Sequence, residues 1–232
     1  MRYAVISFDL DGTLVDTAGE IAEAANRTLA EFGVPRQPLT LVTGFIGAGT
    51  QQMMLRLCAH VLHRAPAHTA LLDTARVLAS LDRHYAATAG SLARPYDGAL
   101  PMLQALREGG VRLACLTNKE HRHALRVLRG AGLLDALDIV VGGDSLPQRK
   151  PHPLGLQHVI NVLGGQPRRS VHVGDSRTDV DTARAAGVTA WAVPWGYDGG
   201  EPVALARPDR IFDSLPALAA HVLAANAAHA AA

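Results

Sequence analysis

The 232 residues contain only two cysteines, Cys58 and Cys115, far apart and each inside an apolar run. Two isolated thiols cannot build a disulfide framework, and neither has the neighbours of a zinc site. Both read as reduced core residues in a reducing compartment. An excess of one charge is also missing: 22 Lys plus Arg stand against 21 Asp plus Glu, a net charge of +1. This balance offers no field for nucleic acid or an anionic membrane, so a small molecule is the expected partner. No apolar run approaches about 20 residues, and the N-terminus opens directly into a strand pattern without a signal-peptide n-region. The expectation is a cytoplasmic protein, monomer or homodimer. There is no internal repeat, and the low-complexity tail "AANAAHAAA" reads as a frayed helix end without a role of its own.

What is present is a recurring β-then-helix pattern. Short β-rich runs cover Tyr3 to Phe8, Arg112 to Thr117, Asp138 to Val141, Ser170 to Gly174 and Thr189 to Val193, each followed by helical periodicity. This predicts an α/β fold whose parallel strands are joined by crossover helices that cover both sheet faces. Leu125 and Leu128 mark one such helix. Leu156, Val159, Ile160 and Leu163 mark another, ended by Gly164-Gly165.

Between the first strand and "RPYDGALPML" lie about eighty residues without a comparable strand, too many for an ordinary crossover. The spacing predicts an inserted helical domain over 16–94, with the core formed by 1–15 and 95–232. Its first helix is expected to open on a capping box, Thr17-Ala18-Gly19-Glu20, and to run through Ile21, Ala25, Leu29 and Phe32 to Gly33. Met54, Leu57, Cys58 and Val61 form a second apolar stripe, and Leu71, Leu78, Leu81 and Tyr85 a third. If the insertion is a lid, its two crossings, near Asp16 and near Arg94-Pro95, lie close together.

Ligand crevices of open parallel sheets lie beyond the C-terminal strand ends. There the chain places Asp9 and Asp11 after the first strand, Thr117-Asn118 after the second, and Asp175 with Asp179 after the fourth, while Lys150 precedes a helix after the third. Two carboxylates about 5 Å apart repel by roughly 3 kcal/mol at an effective dielectric near 20, about two pKa units. A third acid requires a proton, a lysine or a divalent cation, and all-oxygen ligation suits Mg²⁺. Metal and Lys150 together would attract a phosphate dianion, and phosphoryl transfer needs the nucleophile, charge neutralisation and acid available here.

In this order "FDLDGTLVDT", "LTN", "KPHP" and "GDSRTDVDTA" resemble the four motifs of the haloacid dehalogenase (HAD) superfamily, mostly Mg²⁺-dependent phosphatases. The resemblance covers nearly the whole chain. It implies a HAD-like Rossmannoid parallel sheet with helices on both faces and an inserted α-helical cap domain of the C1 type. It also implies that Asp9 attacks phosphorus to give an aspartyl-phosphate, while Asp11 protonates the leaving alkoxide and then deprotonates water. Thr117 and the Asn118 backbone would hold phosphoryl oxygens, and Lys150 would steady Asp9 and the transferring group. Asp9, the Asp11 carbonyl and Asp175 would bind Mg²⁺, supported by Asp179. Within the superfamily, "TGFIGAGTQQMMLR", "VVGGD" and "WGYDGGEPVALARPDRIFDSLPAL" resemble phosphoglycolate phosphatases. That likeness implies a cap loop and arginine, Gly47, Gly49 and Arg56, that meet the substrate carboxylate.

Each feature also has a plainer reading. A lone D-x-D is common at turns, Thr117-Asn118 could be a helix cap, Lys150 a solvated lysine, and Gly47-x-Gly49 a turn. Lys119 with Arg122, Arg126 and Arg129 reads as a solvated basic face. His60 with His63 and His121 with His123 lack a third zinc ligand, and His152 reads as a helix-start residue. Trp191 and Trp195 read as packing at the sheet edge. The function expected is Mg²⁺-dependent hydrolysis of a small phosphomonoester, most of all 2-phosphoglycolate. A sugar phosphate or phosphorylated amino sugar is the alternative, followed by a phosphomutase, a dehalogenase, or a binding module on an inactive scaffold.

Overall fold

In the computed structural model, which describes residues 2–66, 72–197 and 199–231, the sheet is six-stranded and parallel. Strand β1 (Val5–Phe8) is followed by the short β2 (Val15–Asp16), helices α1 (Ala18–Glu31), α2 (Leu39–Thr43), α3 (Thr50–Arg64) and α4 (Thr74–Thr88), and β3 (Arg94–Pro95). The chain then runs α5 (Ala99–Glu108), β4 (Arg112–Leu116), α6 (His121–Gly130), β5 (Ile139–Val141), α7 (Leu154–Val162) and β6 (Ser170–Gly174). It finishes with α8 (Arg177–Ala185), β7 (Thr189–Ala192), β8 (Arg210–Ile211) and α9 (Leu215–Ala230). Strand order is β5-β4-β1-β6-β7-β8, so the order reverses on either side of β1, and crevices form at such a switch point.

Because side chains alternate along a strand, each strand feeds two cores. Ile6, Phe8, Leu113, Cys115, Val171, Val173 and Trp191 pack with α5, α6 and α9 on one face. Val5, Ala114, Leu116, Val141, Ala190 and Ala192 pack with α7 and α8 on the other. On α6 the buried stripe is Ala124, Val127 and Leu128, and Leu125 is only half-buried, because the 3.6-residue turn aligns 124 with 127 and 128. Both cysteines are buried free thiols. Trp191 packs edge-on against Tyr3 and Phe212, and Trp195 packs against Tyr96. Among the described residues no helix is long and apolar enough to cross a membrane.

Helices α1–α4 enclose a separate apolar core of Ile21, Leu29, Met53, Met54, Leu57, Val61, Leu81 and Tyr85. Leu71, expected in the third stripe, lies outside the described residues. The chain leaves and re-enters the sheet region through the antiparallel β2–β3 pair, where Asp16 opposes Arg94.

Three sequence expectations change. The start of α1 is no capping box: Thr17 makes no side-chain cap bond. Its hydroxyl donates to Asp11 (2.6 Å), and Asp16 and the Tyr197 hydroxyl accept the first backbone N–H groups instead. Glu20 is fully buried and accepts from Gly90 N (2.9 Å) and the Tyr85 hydroxyl (3.2 Å). A real capping box opens α8, where Ser176 and Asp179 satisfy each other's backbone donors. Strand β8, only two residues long, is too short to show a period. The tail is part of α9 to Ala230, and its Asn226 clasps the backbone of Tyr3 through two bonds of 2.8 and 2.9 Å.

Candidate active site

The C-terminal edge of the sheet and the helical segment α1–α3 enclose a cavity. Asp9, Asp11, Thr117, Asn118, Lys119, Asp175, Ser176 and Tyr197 line it from the sheet side, opposite Ile21, Ile46, Gly47, Gly49, Thr50 and Met53. One side is dense in charge and the other is mainly apolar.

Each acid is held by specific partners. Oδ1 of Asp9 accepts from Leu10 N (2.7 Å) and lies 3.0 Å from Lys150 Nζ. Lys150 also donates to Asp179 (2.7 Å), whose other contacts are His172 Nε2 (3.2 Å) and the backbone and hydroxyl of Ser176. Asp175 accepts from the Thr13 hydroxyl (2.9 Å) and from Tyr197 N (2.5 Å). A methyl group on Gly12, which has φ +85°, would lie 2.4 Å from Asp175 Oδ2, so only glycine lets the turn after β1 approach this carboxylate. Asp11 accepts from Thr17 and lies 2.8 Å from Lys119 Nζ.

The pKa directions follow from these contacts. Burial pushes Asp9 up to about 6, with Lys150 pulling down and Asp179 and Asp11 pushing up. Asp175 rises well above the usual carboxylate range through burial and the charges of Asp179 and Asp9. Asp179 is also buried, yet Lys150 and His172 hold it well below that range. Burial opposes the charge on Lys150, but Asp179 and Asp9 outweigh it and keep the ammonium protonated. Burial lowers His172, which therefore stays neutral near pH 7.

Asp9, Asp175 and Asp179 present oxygens within 4.8 Å of one another. With all three ionised, the one ammonium of Lys150 would leave two negative charges uncompensated in a buried volume, which is why burial raises Asp9 and Asp175. A hard divalent cation fits that deficit and that all-oxygen donor set. Asp179 has both oxygens committed to Lys150, His172 and Ser176, so it supports the cluster from behind. Among the described residues no histidine belongs to such a group.

The remaining sequence-selected residues divide. Thr117 is buried at the end of β4, and its hydroxyl accepts from Lys119 N (3.2 Å). Asn118 donates through Nδ2 to the carbonyls of Lys150 (3.0 Å) and Gly47 (3.3 Å), tying the α2–α3 loop to the sheet edge. Gly47 and Gly49 both line the cavity. Arg56 does not: it is exposed on α3. Thr50 and Met53 face the cavity, and at about 100° per residue Arg56 is turned about 120° from Thr50.

A family model described as haloacid dehalogenase-like hydrolase matches residues 3–187. The chain belongs to this family. Among the relatives of this HAD-like hydrolase is a phosphoglycolate phosphatase of Cupriavidus necator, 44% identical over 97% of this chain and 96% of that one. Another, a phosphoglycolate phosphatase of Nitrosospira multiformis, is 42% identical over 90% of this chain and 91% of its own. A crystal structure from Haemophilus somnus, described as a predicted phosphoglycolate phosphatase, superposes with a TM-score of 0.86 at 29% identity. It covers 94% of this chain and 97% of that chain.

Sequence reasoning misplaced or missed several residues of the hydrolase site. Lys119, expected on a solvated face, is 1% exposed, between Asp11 and the Tyr85 hydroxyl (2.6 Å). It precedes α6, so the periodicity of that helix does not govern it. Arg122 and Arg126 are exposed but pair with Asp82 and the Ala86 carbonyl on α4. Tyr197 joins Asp175 to the start of α1, donating from its hydroxyl to Asp16 (2.5 Å). His172, in "SVHVGD", had a visible signal: a titratable residue inside an otherwise apolar strand.

Proposed function

We propose that this hydrolase is an Mg²⁺-dependent phosphatase that releases phosphate from 2-phosphoglycolate through an aspartyl-phosphate on Asp9. The observation that carries it is the pairing of a lysine-held carboxylate, Asp9, with a second carboxylate, Asp11, on one small cavity. The printed names of the two relatives above, similar over nearly their whole length, support the choice of ester.

Asp9 attacks phosphorus in line as the bond to the leaving oxygen breaks. Asp11 donates its proton to that oxygen, so glycolate leaves with a neutral hydroxyl beside its carboxylate, and Asp11 becomes a carboxylate. It then takes a proton from the water that attacks phosphorus, which cleaves the acyl phosphate and restores Asp9. Thr117 and the backbone of Asn118 hold the phosphoryl oxygens, and Lys150 keeps Asp9 oriented and ionised. Asp9, Asp175 and the Asp11 carbonyl would hold Mg²⁺, with Asp179 behind them, and the bound cation supplies neutralisation of phosphoryl charge. Residues 16–94 form the cap domain in this reading, hinged at β2–β3, and its apolar wall excludes water from the phosphoenzyme. Two buried thiols that stay reduced accord with a cytoplasmic setting.

The test is phosphate release from 2-phosphoglycolate with and without Mg²⁺, for the wild type and Asp9→Asn. Metal-dependent turnover that falls at least about 10⁴-fold in the variant is expected. Full activity of the variant would sink the mechanism, and a better sugar phosphate in a panel of esters would replace the substrate.

A further inference from the structure

An acid phosphate brings a second anion into the cavity besides the phosphate. Its carboxylate needs a partner that the wall of Ile21, Ile46 and Met53 cannot supply. Arg56 is turned away, and among the described residues that line the cavity Lys119 is the one cation.

The Lys119 ammonium has three N–H groups. It lies 2.8 Å from Asp11 Oδ1 and 2.6 Å from the Tyr85 hydroxyl, over whose ring it sits at 4.8 Å. Those two contacts use two N–H groups, and the third has no partner among the described residues. In the proposed mechanism Asp11 marks the position of the leaving oxygen. In 2-phosphoglycolate the carboxyl carbon follows that oxygen by two bonds of about 1.5 Å each. An ammonium already within hydrogen-bond reach of Asp11 is therefore one short acid's length from the cleaved bond. We propose that Lys119 reads the carboxylate of the leaving group and selects a short acid phosphate over a neutral or sugar ester.

The positioning of Lys119 depends on the helical segment. Tyr85 on α4 accepts from Nζ and donates to Glu20 on α1, and Glu20 accepts in turn from Gly90 N. Lys119 itself stands between β4 and α6 on the sheet side. The carboxylate reader is thus complete only when α1 and α4 rest against the sheet edge, which couples selection to closure.

A lysine that only offsets Asp11 would affect every ester equally, and this separates the two roles. The inference rests on the phosphoglycolate reading, and the experiment compares kcat/KM for 2-phosphoglycolate with that for ethyl phosphate, a two-carbon ester lacking the carboxylate. The wild type is expected to prefer the acid, and Lys119→Met to reduce that preference about 100-fold, whatever loss the two esters share. Equal losses for both esters would overturn the assignment while leaving the phosphoglycolate reading intact. A wild type without the preference would overturn both. If Lys119→Met does not fold, Tyr85→Phe keeps the ring and removes the hydroxyl; the preference should fall about tenfold, through KM, and an unchanged preference would overturn the assignment.

Discussion

The two walls of the cavity hold their polar groups in opposite ways. On the sheet side, Asp9, Asp179, Lys150 and His172 are buried and tied to one another, with Asp175 held beside them by Thr13 and Tyr197, so Lys150 cannot move without leaving two carboxylates uncompensated. Apart from one buried chain, Lys119 to Tyr85 to Glu20, the helical side offers isolated contacts: the Gly47 carbonyl to Asn118, the Thr50 hydroxyl to Glu120 (2.7 Å), and half-buried Asp82 to Arg122. Each of these can be exchanged for water at little cost. A rigid charged edge suits chemistry that needs fixed geometry, and a lightly pinned wall suits admission and release of substrate.

The largest effect is expected where the charged edge loses its cation. Lys150→Met leaves Asp9 and Asp179 without the ammonium that both contact. Turnover of 2-phosphoglycolate should fall about 10³-fold at saturating Mg²⁺, and steady-state kinetics measures it. A fall below tenfold would mean that the edge tolerates an unpaired charge and that the contrast between the walls is false.

The same edge should show itself in the pH dependence of metal binding. Asp9, raised to about 6, keeps its proton in the metal-free protein until near that pH, whereas an unfolded chain releases it near 3.8. The contribution of Asp9 to metal-free stability is therefore present below about pH 4 and lost as pH rises through about 6. A cation must displace that proton, and Asp175 is raised as well, so Mg²⁺ affinity should weaken at least about tenfold for each unit below pH 6. Titration calorimetry at pH 5, 6 and 7 tests this, and a constant affinity would place the cation away from Asp9.

The charged edge was legible in the sequence because topology alone fixes it. Residues that follow parallel strands converge, so Asp9, Asp11, Thr117, Lys150, Asp175 and Asp179 could be assembled from strand positions without seeing a contact. The helical wall was not legible in that way. Which face of α3 meets the cavity depends on how the helix docks, and a turn of about 60° separates Met53 from Arg56. Lys119, Tyr85 and Glu20 were each read within their local pattern, as basic face, apolar stripe and capping box, while the contact that unites them spans almost a hundred residues. Tertiary pairing outranked the local pattern at Lys119 and Glu20, while Tyr85 keeps its place in the apolar core and adds its hydroxyl contact.

A moderate effect is expected on the helical wall. Gly49, at φ +93°, starts α3, and a Cβ there would lie 2.8 Å from the Asn118 carbonyl oxygen. Gly49→Ala should push the α2–α3 loop off the sheet edge and raise KM for 2-phosphoglycolate about tenfold, with kcat changed less than about threefold. A matching loss in kcat would show that this wall takes part in the chemical step.

The smallest effect on chemistry should come from the far end of the sheet. Asn226 closes α9 onto the backbone of Tyr3, just before β1, and Asp9 follows the same strand at its other end, about 20 Å along an extended chain. Asn226→Ala leaves both the amide and the carbonyl of Tyr3 without their partner in a buried setting, which costs about 2 kcal/mol. For a chain of this size that lowers Tm by about 4–8 °C. Because the charged network is self-contained, kcat and KM on 2-phosphoglycolate should stay within about twofold at 25 °C. Calorimetry and kinetics on one preparation separate the two effects. A fall in kcat as large as the rise in KM expected for Gly49→Ala would show that strain at the base of β1 reaches Asp9, and that the rigidity of the edge is borrowed from α9.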